Sequence, residues 1–124
     1  MEAKKVLIVE DDKSLQQLIK KLVEMRKASV TIVGSGEEAN HILKKQKNRY
    51  DLVFLDLILP EVTGWDVLET LKSSPGTRDT PIIIFTGASL SEKEKAKMLQ
   101  KASAIIEKSK FTLAGFEAML DRWL

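Results

Sequence analysis

Asp51-Leu52-Val53-Phe54-Leu55-Asp56-Leu57-Ile58-Leu59-Pro60 is the stretch on which the reading of this chain turns. Four apolar residues in succession, Leu52 to Leu55, read as a short strand buried on both faces, as in a parallel sheet. The run then delivers a carboxylate, Asp56, at its C-terminal end, where burial is costly unless a partner is present. Pro60 cannot continue a ladder and opens a loop. Ligands of open α/β sheets bind beyond the carboxyl ends of the strands. If this strand is central, Asp56 stands where chemistry is expected.

The rest of the chain narrows the class. At 124 residues, its length suits one domain spanning 1–124. It has no cysteine, which excludes disulfides, thiolate metal sites and cysteine nucleophiles. Twenty basic residues against 18 acidic ones are too balanced to argue nucleic-acid binding, and no segment after the last predicted helix suggests a DNA-binding element. The lysine pairs Lys4-Lys5, Lys20-Lys21 and Lys44-Lys45 read as solvated faces. No apolar run approaches the ~20 residues of a membrane span and the N-terminus lacks an apolar signal core, so the expected location is the cytoplasm.

Strands and helices alternate along the chain. Val6-Leu7-Ile8-Val9 is a second doubly buried strand and runs into Glu10-Asp11-Asp12. Ser14 with Gln17 predicts a capping box for a helix whose apolar stripe is Leu15, Leu18, Ile19 and Leu22. Val30 to Val33 is the next strand. Ser35 to Glu38 caps a helix that buries Ala39, Ile42 and Leu43, with His41 on its other face. After the Asp51–Pro60 stretch, Thr63 to Asp66 caps a helix carrying Val67, Leu68 and Leu71. Pro81 to Phe85 is the fourth strand, ending on Thr86. Ser91 to Glu94 caps a weakly amphipathic helix with Ala96, Leu99 and Ala102 as its apolar face. Ala104 to Ile106 is a brief fifth strand leading to Glu107-Lys108. Thr112 caps a last helix expected to turn Leu113, Phe116, Leu120 and Trp123 inward.

Strict β-α alternation with buried strands predicts a parallel sheet covered on both faces. Right-handed crossovers leave few topologies, of which the flavodoxin-like (βα)5 doubly wound sheet, order 2-1-3-4-5, is the expected one. That order brings Asp11 and Asp12, Asp56, Thr86 and Lys108 to one edge. Carboxylates about 5 Å apart repel by ~3 kcal/mol per pair at an effective dielectric near 20. A divalent cation relieves the conflict, and an all-oxygen donor set points to Mg2+. Carboxylate, hydroxyl, ammonium and metal together are the components of phosphoryl transfer, with Asp56 as nucleophile.

With these residues in place, the chain resembles a response-regulator receiver domain over nearly its whole length. The matching positions are Asp11-Asp12, Asp56, Pro60, Gly64, Thr86 and Lys108. The resemblance implies that Asp56 takes a phosphoryl group from a phosphohistidine on a sensor histidine kinase or a histidine phosphotransfer protein. It implies that Asp11, Asp12, Asp56 and the backbone carbonyl of Ile58 hold Mg2+, that Lys108 pairs with Asp56 and then with the phosphate, and that Thr86 moves toward the phosphoryl group. The output is then a change of protein contacts on the face from the fourth strand to the last helix, with an effector protein or a second copy. On this reading the chain is a signalling domain, catalysing only its own phosphorylation and dephosphorylation.

The chain departs from the family pattern in three places. Ile105 stands where an aromatic switch residue is frequent, Ser109 where proline usually follows the lysine, and Lys101 where a turn glycine is common. Ile58 and Ala88, two residues after Asp56 and Thr86, cannot hydrogen-bond a hydrolytic water, so slow self-dephosphorylation is expected. Two rival readings exist. Gly34, Gly36 and Ala39 match a G-x-G-x-x-A dinucleotide fingerprint, but Glu37 and Glu38 fill the first helical turn, where a pyrophosphate would sit. A receiver-shaped interaction module that signals without phosphorylation is the other. A P-loop is absent.

Overall fold

A computed structural model describes residues 3–45, 49–60 and 62–124. In chain order the elements are β1 (Lys5–Val9), α1 (Lys13–Glu24), β2 (Ser29–Val33), α2 (Gly36–Lys45), β3 (Leu52–Leu55) and α3 (Gly64–Ser73). They continue with β4 (Ile82–Thr86), α4 (Glu92–Met98), β5 (Ala104–Glu107), a 3-10 turn η1 (Lys108–Lys110) and α5 (Leu113–Trp123). The strands form one parallel sheet in the order β2-β1-β3-β4-β5, the flavodoxin-like arrangement.

Period-2 alternation divides each central strand between two cores. Leu7, Val9, Val53, Leu55, Ile82 and Ile84 face α2 and α3, meeting Ala39, Leu43, Val67, Leu68 and Leu71. Val6, Ile8, Leu52, Phe54, Ile83 and Phe85 face α1 and α5, meeting Ile19, Leu22, Val23, Phe116 and Leu120. Phe54, Phe85, Phe111 and Phe116 form a tilted aromatic cluster there, with neighbouring ring centroids 5.4–5.7 Å apart. Phe111 is half-buried, and each of the fully buried side chains in the two cores contributes about 1.5–3 kcal/mol. Burial is complete in β3 and β4 and nearly so in β1, while β2 and β5 are half-buried edges.

Four helix starts agree with the sequence. Thr63, Ser91 and Thr112 cap α3, α4 and α5, and Ser35 Oγ accepts from the Glu38 amide at the start of α2. The start of α1 does not. Its cap is Asp12 rather than Ser14: Asp12 is extended (φ −77°, ψ 114°) and its Oδ1 accepts from the Leu15 amide at 3.0 Å.

Two inward faces also differ. On α4 the buried residue is Met98, while Ala96 and Leu99 are exposed. Lys95, Met98 and Ala102, spaced i, i+3, i+7, point toward the sheet, so the apolar face is rotated one position from the expected one. On α5, Leu113 is exposed because it occupies the first turn, beyond the edge of the sheet, whereas Phe116 and Leu120 are buried and Trp123 is half-buried. Arg26, just past the end of α1, ties that helix to α5 through Asp121 (2.8 Å) and the Glu117 carbonyl (3.2 Å) while donating to Leu22 O of α1.

Lys4, Lys5, Lys21, Lys44 and His41 are exposed and Lys20 is half-buried; the side chain of Lys45 lies outside the described residues. Among the described residues no helix is long and apolar enough to cross a membrane.

Candidate functional site

The carboxyl ends of β1, β3 and β4 meet at one edge because the register aligns Val9 with Leu55 and Leu55 with Ile84. The next residue after β1 is Glu10 and the next after β3 is Asp56. Both are pinned by backbone bonds, Glu10 N to Val33 O at 3.1 Å and Asp56 N to Val9 O at 3.0 Å. Both carboxylates are buried, with residue exposures of 2% and 4%. Asp56 Oδ1 accepts from the Ile58 amide at 3.1 Å. Its Oδ2 lies 2.9 Å from Lys108 Nζ, and the same ammonium lies 2.8 Å from Glu10 Oε1. Lys108 also sits 5.8 Å from the centroid of the Phe85 ring. Thr86, the last residue of β4, is fully buried, with Oγ1 accepting from the Ala88 amide at 3.1 Å.

Carboxylate oxygens of Glu10, Asp11 and Asp56 all lie within 4.8 Å of one another. Asp12 is not in this group, since its side chain is spent on the α1 cap, and its amide donates to Glu10 Oε2 at 3.0 Å. Of the expected acids, the fold therefore gathers Asp11 and Asp56, and it adds Glu10, which the sequence reading passed over. A signal for this existed. The apolar run of β1 ends at Val9, so Glu10 is the first residue off the strand, while an Asp preceding an apolar helical stripe is a natural N-cap. Thr86 and Lys108 stand where expected, and Ile58 borders the site with its side chain largely exposed.

Burial and charge together set the titration of the site. Burial pushes the Glu10 carboxyl above its ordinary value, against the pull of Lys108 and the Asp12 amide. Burial alone would lower Lys108, but its hydrogen bonds to Glu10 and Asp56 outweigh it and hold the ammonium above its ordinary value. One ammonium faces three acids, so negative charge remains in excess. Three hard oxygen donors at this spacing suit a divalent cation of the Mg2+ type.

A glycine completes the geometry: a side chain at Gly64 would overlap the Asp56 carbonyl, so α3 can start directly beneath the site. At the second sheet edge, Gly36 packs against the Val62 backbone and Gly34 N donates to Glu38 Oε2 at 3.0 Å. The start of α2 is closed by this loop and by its own acids, which removes the dinucleotide reading.

A largely buried acid cluster with one lysine and one hydroxyl, at the carboxyl edge of a flavodoxin-like sheet, is the arrangement of a receiver-type signalling domain. The chain belongs to the response regulator receiver domain family, whose model matches residues 6–118. It is 37% identical over 82 residues to the transcriptional regulatory protein CpxR of Escherichia coli (strain K12), covering 66% of this chain and 33% of that protein. It is 30% identical over 89 residues to the 3',5'-cyclic-nucleotide phosphodiesterase regA of Dictyostelium discoideum, covering 72% of this chain and 11% of that protein. The chain thus spans a third or less of the length of these curated relatives.

Among solved structures, the non-phosphorylated HemR receiver domain from Leptospira biflexa superposes with a TM-score of 0.84 at 30% identity, over 97% of this chain and 93% of that one. The receiver domain of the sensor histidine kinase PA1611 from Pseudomonas aeruginosa PAO1 gives 0.79 at 27% identity, over 98% of both chains. It carries a magnesium ion in its active-site cleft.

Proposed function

We propose that Asp56 accepts a phosphoryl group from a phosphohistidine on a sensor histidine kinase or a histidine phosphotransfer protein. The observation that carries this reading is the shared ammonium, with Lys108 Nζ 2.9 Å from Asp56 and 2.8 Å from Glu10. An Asp56 carboxylate oxygen attacks phosphorus, the P–N bond to the donor imidazole breaks, and its electron pair stays on the leaving nitrogen. Lys108 then exchanges its contact with Asp56 for one with a phosphoryl oxygen. Thr86 gives up its bond from the Ala88 amide and turns its hydroxyl to another. Glu10, Asp11, Asp56 and the backbone carbonyl of Ile58 are the groups that would hold Mg2+, which neutralises phosphoryl oxygens when bound.

Supporting the entry of a donor is an apolar cleft of about 350 Å³ beside Lys108, lined by Leu15 and Leu18 of α1 together with Phe85 and Phe111. The displaced Thr86 and Lys108 signal through the β4–α5 face to an effector protein or a second copy in the cytoplasm. The unit acting here is the single domain 1–124, and neither nucleic acid nor membrane is contacted directly. Ile58 and Ala88 offer no side-chain hydrogen bond to a hydrolytic water, so the phosphorylated state decays slowly without a partner.

Incubation with labelled acetyl phosphate and Mg2+ tests the reading. The wild type is expected to take up label and Asp56→Ala to take up none. An unlabelled wild type would favour the module that signals without phosphorylation.

A further inference from the structure

Lys108 reaches the site from η1, the 3-10 turn that follows β5. No residue of η1 is buried, and Ser109 and Lys110 are both exposed. Its two ends are fixed by other means: Glu107 pairs with Thr86 in the sheet, and Phe111 stacks against Phe85 and Phe116. Between them, the Glu107 side chain spans the turn. Its carboxylate lies 3.1 Å from Lys110 Nζ, three residues on, and 3.5 Å from Lys95 Nζ on α4. Only 13% of that side chain is exposed, unusual for an acid on an edge strand.

The electrostatics agree. Lys110 first, then Lys95 and the Leu90 amide hold the Glu107 carboxyl below the usual carboxylate range, against the burial that would raise it. The contact with Lys95 matters for a second reason. Met98 is the one buried residue of α4, so the pair with Glu107 is a main tie between that helix and β5.

We propose that Glu107 is a positioning residue for Lys108: braced by Lys110 across the turn and by Lys95 on α4, it fixes the turn from which the Lys108 ammonium reaches Asp56. The functional side of this inference rests on Asp56 being the phosphoacceptor. Its structural side does not. A shift of the turn moves the root of the Lys108 side chain and loosens the placement of its ammonium, and misplacements of about 1 Å lower rates without altering the groups that react.

The test uses the full chain as wild type, E107Q, K110Q and the double variant. Amide hydrogen exchange over residues 108–111 reads the order of the turn. The dependence of phosphorylation rate on acetyl phosphate, in Mg2+, reads the placement of Lys108. Each single substitution is expected to speed exchange in the turn. Each is also expected to lower the maximal rate roughly three- to tenfold, with the half-saturating donor concentration unchanged. The double variant is expected to be no slower than E107Q, which already releases both lysines. Exchange equal to wild type in both single variants overturns the proposal. So does faster exchange with an unchanged maximal rate, since the turn would then be ordered without placing Lys108. A wild type that takes up no label defeats the phosphoacceptor reading, and the exchange arm still decides whether Glu107 braces the turn. K110Q, altered at an exposed side chain, keeps the test open if E107Q does not fold.

Discussion

The central strands and the β5 side of the sheet are built by different means. In β1, β3 and β4 nearly every side chain is buried, and the acids sit on backbone held by neighbouring strands. On the β5 side, all four strand residues are half-buried, α4 has seven residues and one buried side chain, and the cross-links are ion pairs. Reacting groups need fixed positions, which close packing supplies. A face that reports a change of state needs alternatives close in free energy, and elements with few buried contacts open at low cost. On the proposed function, Asp56 acts from the first region and its state is read on the second, with Lys108 reaching across from the turn after β5.

The largest expected effect would break or support that contrast directly. Phe54→Ala removes a ring that is 1% exposed and packs on Phe116, at a cost of about 3–5 kcal/mol in global stability by urea unfolding. Met98→Ala is expected to cost less, about 2–3 kcal/mol, and to appear first as lost hydrogen-exchange protection across residues 91–102. Equal global losses with α4 still protected would erase the distinction.

Next in size is the response to metal. At a Mg2+ concentration about 100 times its dissociation constant, stability should rise by about 2.7 kcal/mol. Asp11→Asn should lose most of that gain. Asp12→Asn should keep it, since Asp12 only caps α1. A loss on Asp12→Asn equal to that on Asp11→Asn would return the metal site to the acids first expected.

A smaller effect concerns pH. The Lys108 ammonium is held above its ordinary value, so the stability from its ion pairs is fully present below the ordinary lysine range and is lost as pH rises through the raised value. Lys108→Met should lower stability at neutral pH by about 1–2 kcal/mol and remove that part of the alkaline decline. Unfolding midpoints of both proteins across the alkaline range measure the difference. The smallest effect is kinetic: Ile58→Asn, offering a hydrogen bond to water, should speed loss of phosphate by roughly tenfold or less, at most about 1.4 kcal/mol of barrier.

Most of the chemical region is legible in the sequence. Leu52 to Leu55 without a polar residue predicts a doubly covered strand, and Asp56 follows from its position at the end of that strand. Thr63, Ser91 and Thr112 announce helix starts because capping is a local interaction. Glu10 joins the acid cluster and Asp12 caps α1, a division among three adjacent acids that depends on where α1 begins to within one residue. The same sensitivity misplaced the inward face of α4, where one residue of rotation exchanges Leu99 for Met98. The brace of Lys95, Glu107 and Lys110 is invisible beforehand. Lys110 is close in sequence, but Lys95 meets Glu107 only once α4 is docked on the sheet.

The most direct test of the whole account is the position of the phosphoryl group. After incubation with acetyl phosphate and Mg2+, the acyl phosphate is trapped with hydride and the peptides are mapped by mass spectrometry. Modification is expected at Asp56 alone. Modification at Glu10 or Asp11 in its place, or no modified carboxylate at all, would contradict it.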